Sequence, residues 1–173
     1  MKGALPYLAA ALVASVLVHL CTVMAVPYAV MLLLKVDTEA EPNRVHHGPL
    51  VTAETRDVVR PSPDLLYSAC PFDLSDGPLQ VTARVPDSYF SISAFADDTD
   101  NFFVLNDQQI ETVNVAIVLV TKDQDYTAKP AERVVIAPSV EGVVIFRMLI
   151  EDRNALDEVF EIQRQADCRP VHR

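Results

Sequence analysis

His46 and His47 are adjacent imidazoles, side chains that bind zinc and other transition metals. Neighbours on an extended strand point to opposite faces, so the pair can chelate one ion only where the backbone turns, and no Cys-x-x-Cys or His-x-x-x-His spacing supports them. The plainer account has one imidazole capping a backbone group and the other exposed. Asp97, Asp98 and Asp100 bring three carboxylates together, a hard oxygen set that suits Ca²⁺. They lack the alternating ligands, central glycine and closing Glu of an EF-hand loop, and a solvated hairpin tip explains them as well. Asp73 and Asp76 flank a Gly-Pro turn, where a carboxylate pair could act as acid and base but where Asp also bonds its own backbone. There is no Gly-x-Ser-x-Gly, phosphate loop, dinucleotide fingerprint or zinc spacing, and four glycines leave little material for phosphate cradles. No catalytic or cofactor-binding residue is assigned, no cofactor is implied, and a non-enzymatic role is favoured.

These side chains need elements to hold them, and the first is a leader of a different kind. Residues 3–34 contain no Asp, Glu, Lys or Arg. A spanning helix needs roughly 20 apolar residues, so the run is long enough to cross a bilayer with turns to spare, and Pro27 is tolerable there as a local kink. Val23-Met24-Ala25 also resembles a signal-peptidase site, but the apolar run continues through Leu34, so cleavage would leave a sticky terminus; an uncleaved anchor is favoured. Lys2 stands on one side, and Lys35 followed by Asp37, Glu39 and Glu41 on the other, which points to a cytoplasmic N-terminus and an outer C-terminal domain. His19 and Cys21 fall inside the span without an acidic partner, and a neutral packed histidine accounts for the former. All 24 acidic residues follow Lys35, against 12 basic ones, and so acidic a domain repels nucleic-acid phosphates. The expected organisation is an anchor at 1–36 that meets lipid through 5–34, an extended linker at 37–64 rich in Pro and turn residues, and a folded domain at 65–173.

That domain reads as mainly β. Residues 65–70 form a strand, or the end of a short helix, before Pro71, and Gly77 supplies a positive φ in the next turn. Residues 79–85 alternate with Leu79, Val81, Ala83 and Val85 on one face, and 89–96 return with Phe90, Ile92, Ala94 and Ala96 inward. Residues 102–105, 113–121, 133–137 and 142–150 are further strands, the second of them apolar enough to be buried on both faces. Residues 50–59 are a weaker strand candidate. Some eight short strands without an intervening helix predict an antiparallel β-sandwich. One soluble helix follows, capped by Asn154, with Leu156, Val159, Phe160 and Gln163 on one face, and it should close an edge or end of the sandwich. With Cys21 in the span, Cys70 and Cys168 remain as an even pair in an oxidising compartment, which favours a disulfide over two unrelated thiols.

The stretch CPFDLSDGPLQVTARVPDSYFSISAFADDTDNFFVLND, preceded by NRVHHGP at 43–49, resembles a bacterial family known as domain of unknown function twelve-fifty-four. Short members are similar in layout: a membrane span, a histidine-containing linker, the Cys-x-Phe-Asp-Leu turn and a late cysteine. The resemblance implies a jelly-roll-type β-sandwich at the bacterial inner membrane with its domain in the periplasm. It also implies a second such domain (twelve-fourteen in the same series), which larger relatives carry and which a separate chain would supply here. It transfers no catalytic residues. Two readings result: an interaction or assembly module of the envelope, or a small-molecule or metal-binding envelope protein, with a cleft at the sandwich mouth lined by Tyr89, Phe95, Phe102 and the acidic turn residues.

Overall fold

The apolar run to Leu34 and the four residues after it form one helix, α1 (Leu5–Thr38), in the computed structural model, which describes residues 3–38, 40–52, 54–55 and 60–171. The helix passes through Pro27. Its stretch Leu5–Leu34 has a mean hydropathy of 2.3 and is long and apolar enough to cross a membrane, as a spanning anchor or a signal anchor would be. At 1.5 Å per residue it is about 45 Å long.

Alternating apolar residues then build two sheets. The first has the order β1 (His46–His47), β2 (Leu65–Asp73), β8 (Glu141–Leu149), β4 (Phe90–Ala96), β5 (Asn101–Asn106). The second runs β7 (Glu132–Ile136), β6 (Asn114–Val120), β3 (Leu79–Arg84), β9 (Asp167–Pro170). Between β8 and β9 lies the short helix α2 (Leu156–Gln163). The predicted mainly β, two-sheet fold with one N-terminal and one C-terminal helix is therefore what forms.

Four details depart from the sequence reading. β2 continues through Pro71, whose carbonyl accepts from Asn43 N–H (2.7 Å) on the side away from β8. A proline there removes no ladder donor, because the N–H and C=O of an extended residue point the same way. β6 and β7 pair in parallel, unlike the wholly antiparallel sandwich expected. Residues 121–131 give the crossover of about a dozen residues that a parallel return requires, and no helix is needed to fill it. The cap before α2 is Asp152, which accepts from Asn154 N–H at 2.8 Å, and a single 3₁₀ turn (Arg153–Ala155) precedes the α-helical part. β1 and β9 were not foreseen as strands; two and four residues carry too little periodicity to read. The strand candidate at 50–59 lies partly outside the described residues, and the described part of it forms no strand.

The core lies between the sheets. Leu66, Cys70 and Phe72 from β2, Phe146 and Met148 from β8, and Phe90 and Ile92 from β4 face Leu79 and Val81 of β3 and Ile117 and Leu119 of β6, all buried. Each such side chain contributes about 1.5–3 kcal/mol relative to exposure. Leu156, Val159 and Phe160 of α2 pack against this core and Gln163 is buried, so the predicted inward face of the helix is the one observed. Gly142 sits in β8 opposite Phe72. A Cβ there would lie 2.5 Å from Phe72 Cζ and closer still to the Phe95 carbonyl oxygen, so only glycine lets β8 pass between β2 and β4 at this level. Gly142→Ala should destabilise the domain by roughly 3 kcal/mol, at the upper end of overpacking costs, measured by thermal or urea unfolding of the detergent-solubilised protein.

Candidate interaction surface

A cluster of specific bonds closes the outer edge of β2. Asn43 adopts φ 61°, a left-handed conformation that asparagine tolerates better than most residues. From there its side-chain amide copies a strand neighbour: Nδ2 donates to the Asp73 carbonyl (2.8 Å), and Asp73 N–H donates to Oδ1 (2.9 Å). Two steps along, His46 pairs with Ala69 and His47 with Ser68. Gly48 N–H donates to the Tyr67 carbonyl (2.9 Å), and buried Gln163 of α2 donates to the carbonyls of Gly48 and Tyr67. The disulfide Cys70–Cys168 joins β2 to β9 across the two sheets, with Cα atoms 6.6 Å apart and both residues buried.

The two histidines serve this edge separately. His46 Nε2–H donates to the Glu41 carbonyl (3.1 Å), while His47 Nδ1 shares a hydrogen bond with Ser68 Oγ (3.0 Å). Desolvation against buried Ser68, then the charge of Arg164, then that of His46, hold the His47 pKa below its ordinary 6.5. Asp97, Asp98 and Asp100 stand elsewhere, at the hairpin between β4 and β5, where Asp100 N–H donates to Asp98 Oδ1 (3.0 Å) and Ala96 N–H to the Asp100 carbonyl (2.9 Å). The structure does not bring these two sets together, and among the described residues no three His, Cys, Asp or Glu side chains converge as a metal site. Asp73 Oδ1 accepts from Ser75 N–H (2.8 Å), a turn-forming bond, and Gly77 has φ 141°.

The outer face of the second sheet carries a polar chain that sequence reasoning missed. Glu132 on β7 accepts from Tyr126 O–H (2.6 Å) and Lys129 N–H (2.8 Å) of the crossover and from Gln80 Nε2–H (2.8 Å), and Gln80 Oε1 accepts from Arg169 Nε–H (3.3 Å), so the crossover, β7, β3 and β9 are linked. The signal lay in residues 52 and 89 positions apart, which no local pattern reveals. The Tyr126 bond and the Lys129 N–H hold the Glu132 carboxyl low, and the same Glu132 bond raises Tyr126 to about 12. Beside this chain, β7 has a single strand neighbour, and Val134 and Ile136 are exposed, Ile136 at 63%. A cleft of about 290 Å³ opens at one end of the sandwich below α2, with Arg84, Asp87, Ser88, Glu151 and Glu158 among its walls. Tyr89, Phe95 and Phe102 do not line it; Tyr89 O–H donates to Ser91 Oγ (3.1 Å), and Phe102 stacks edge-on with Phe72 at 6.2 Å.

Residues 42–170 match the family described as Protein of unknown function (DUF1254). The chain belongs to the DUF1254 family. The match begins beside Asn43 and ends in β9, so the DUF1254 unit spans the edge cluster and both sheets and leaves out α1. No curated protein matches the chain. Among solved structures it is similar to the VPA0106 protein of Vibrio parahaemolyticus, at 13% identity and TM-score 0.68, over 87% of this chain and 38% of that one. An uncharacterized protein of Burkholderia cenocepacia is similar at 17% identity and TM-score 0.50, over 86% of this chain and 41% of that one. These likenesses concern the fold, and the chain spans about two fifths of the length of each structure.

Two outcomes test the geometry. Cys70 and Cys168 are 98 residues apart, so the loop-entropy model assigns their bond about 4–5 kcal/mol; Cys168→Ser, or reductant, should remove most of it in an unfolding titration. Because Tyr126 is raised, its bond to Glu132 is present below the ordinary tyrosine pKa of 10.0 and lost as pH rises through about 12. Because Glu132 is lowered, the bond is also present above the ordinary carboxylate range and lost as pH falls through the depressed value. Ultraviolet titration of the phenolates should show one tyrosine ionising near 12, and Glu132→Gln should return it toward 10.

Proposed function

We propose that this DUF1254 domain is an assembly module, held at the outer side of the bacterial inner membrane by α1 and seated against a second folded unit. The observation that carries this reading is the open edge of the second sheet: β7 is five residues long, has one strand neighbour and presents exposed Val134 and Ile136. Such an edge is a template for pairing with another chain. The length of the solved relatives supports the same reading, because this fold accounts for 38% and 41% of theirs and their remaining chain is of a size to hold a further domain. The partner we favour is a second β-sandwich domain of the type that larger relatives join to this one.

The anchor has its own support. Leu5–Leu34 is long enough to span, and its apolar side chains stand exposed, as they would in lipid. The orientation with the N-terminus in the cytoplasm and the domain in the periplasm agrees with a buried disulfide, which an oxidising compartment preserves. The cleft below α2 favours a second reading, a small-molecule site, since about 290 Å³ is near the lower size of ligand pockets and its wall mixes charged and apolar groups.

The test is gentle solubilisation of the native protein without reductant, followed by mass spectrometry of everything retained. A stoichiometric protein partner is expected, lost when Ile136→Lys is introduced while the thermal melt of the domain stays unchanged. Recovery of the chain alone with a bound small molecule or metal would overturn the assembly reading in favour of the cleft.

A further inference from the structure

The last turns of α1 fold back onto the domain. Met31 is 6% exposed and Leu34 is half-buried, and together with Ala69 and Pro71 of β2 and Val143 and Ile145 of β8 they enclose a groove of about 110 Å³ with almost no polar wall. The four strand residues lie on the outer face of the first sheet, since Cys70, Phe72, Val144 and Phe146 between them point into the core. Leu32 and Leu33, on the same helical turn, are 62% and 61% exposed.

Water disfavours two exposed leucines side by side, so this turn stays at the lipid boundary. A tilt of up to about 40° brings the rise of the 45 Å apolar stretch to about 35 Å, close to the roughly 30 Å hydrocarbon thickness. The groove therefore opens within one helical turn of lipid, and its wall is continuous with the lipid-facing surface of α1. We infer that this groove takes the acyl chain of a bilayer lipid, which seats the outer face of the first sheet on the membrane surface. The inference rests on α1 spanning the bilayer. A groove whose wall is this apolar favours an apolar guest over water. The acidic surface elsewhere on the domain is no obstacle, because the contact is with chain methylenes rather than anionic headgroups.

The test uses the full chain in phosphatidylcholine vesicles doped with phosphatidylcholine bearing a photoactivatable diazirine in its acyl chain, with adducts mapped by mass spectrometry. Adducts on α1 and also on the β2 and β8 peptides around Pro71 and Val143 are expected. Val143→Trp, which fills the groove, should abolish the strand adducts and leave those on α1; Ala69→Phe serves the same purpose should the tryptophan prevent folding, judged by the thermal melt. Adducts confined to α1, or strand adducts that persist in a folded groove-filled variant, would overturn the inference while leaving the anchor intact. Absence of adducts on α1 would overturn the anchor reading itself, and this inference with it.

Discussion

The bond between Cys70 and Cys168 is the constraint on which the domain's closure depends. It links a strand in the middle of one sheet to an edge strand of the other, and both sulfur-bearing residues are buried between the layers. β9 is four residues long and pairs with β3 alone, too short to hold its place by ladder hydrogen bonds. The covalent link fixes it, and with it α2, whose Gln163 then reaches the carbonyls of Gly48 and Tyr67. The linker residues at β1 thus depend on a helix more than a hundred residues later, and the helix depends on the disulfide that follows it.

The two outer faces of the sandwich differ in chemistry, and the difference has a direction. On the second sheet, Tyr126, Glu132, Gln80 and Arg169 form a hydrogen-bonded chain in which the carboxylate is satisfied by three donors. The polar groups of that chain are satisfied without a partner. On the first sheet, Ala69, Pro71, Val143 and Ile145 meet the end of an apolar helix. The β1 edge that borders this face is short and Asn43 occupies the β2 edge beyond it, which leaves the apolar part of the face to the helix.

Much of the fold was legible because its signals are local. Period-two alternation at 79–85 and 89–96 assigned the inward residues correctly, and the β-branched run at 113–121 became β6, whose Ile117, Val118, Leu119 and Val120 are buried toward both faces. Counting cysteines outside the apolar segment found the disulfide. What escaped was non-local. The parallel pairing of β7 is a property of a crossover, β9 exists because β3 and Cys168 hold it, and the Glu132 chain joins residues from three strands and the crossover loop. Among the described residues nine strands form, one pair of them parallel, and the finer jelly-roll topology that the resemblance implied is not established by that pairing. The histidine pair offered a metal reading beside the plainer one of a backbone cap and an exposed ring, and the structure sets His46 on the Glu41 carbonyl and His47 on the Ser68 hydroxyl.

The four sheet edges argue for where a partner would sit. β1 has two residues, and beyond it the Asn43 amide occupies the β2 edge at Asp73. β5 is kinked by a register shift at Ala94–Phe95, and bulges of this kind turn an edge away from further pairing. β9 ends in Pro170, which has no N–H to donate, and carries Asp167 and Arg169. Charge, proline, bulges and brevity are the usual ways a protein blunts an exposed strand. β7 carries exposed Arg133 but no proline or register shift: its Glu132 is turned into the hydrogen-bonded chain on the sheet face, and Val134 and Ile136 remain exposed. An edge left this apolar on a domain so acidic is costly in isolation, and a strand or apolar surface laid against it would both complete the backbone pairing and cover Ile136.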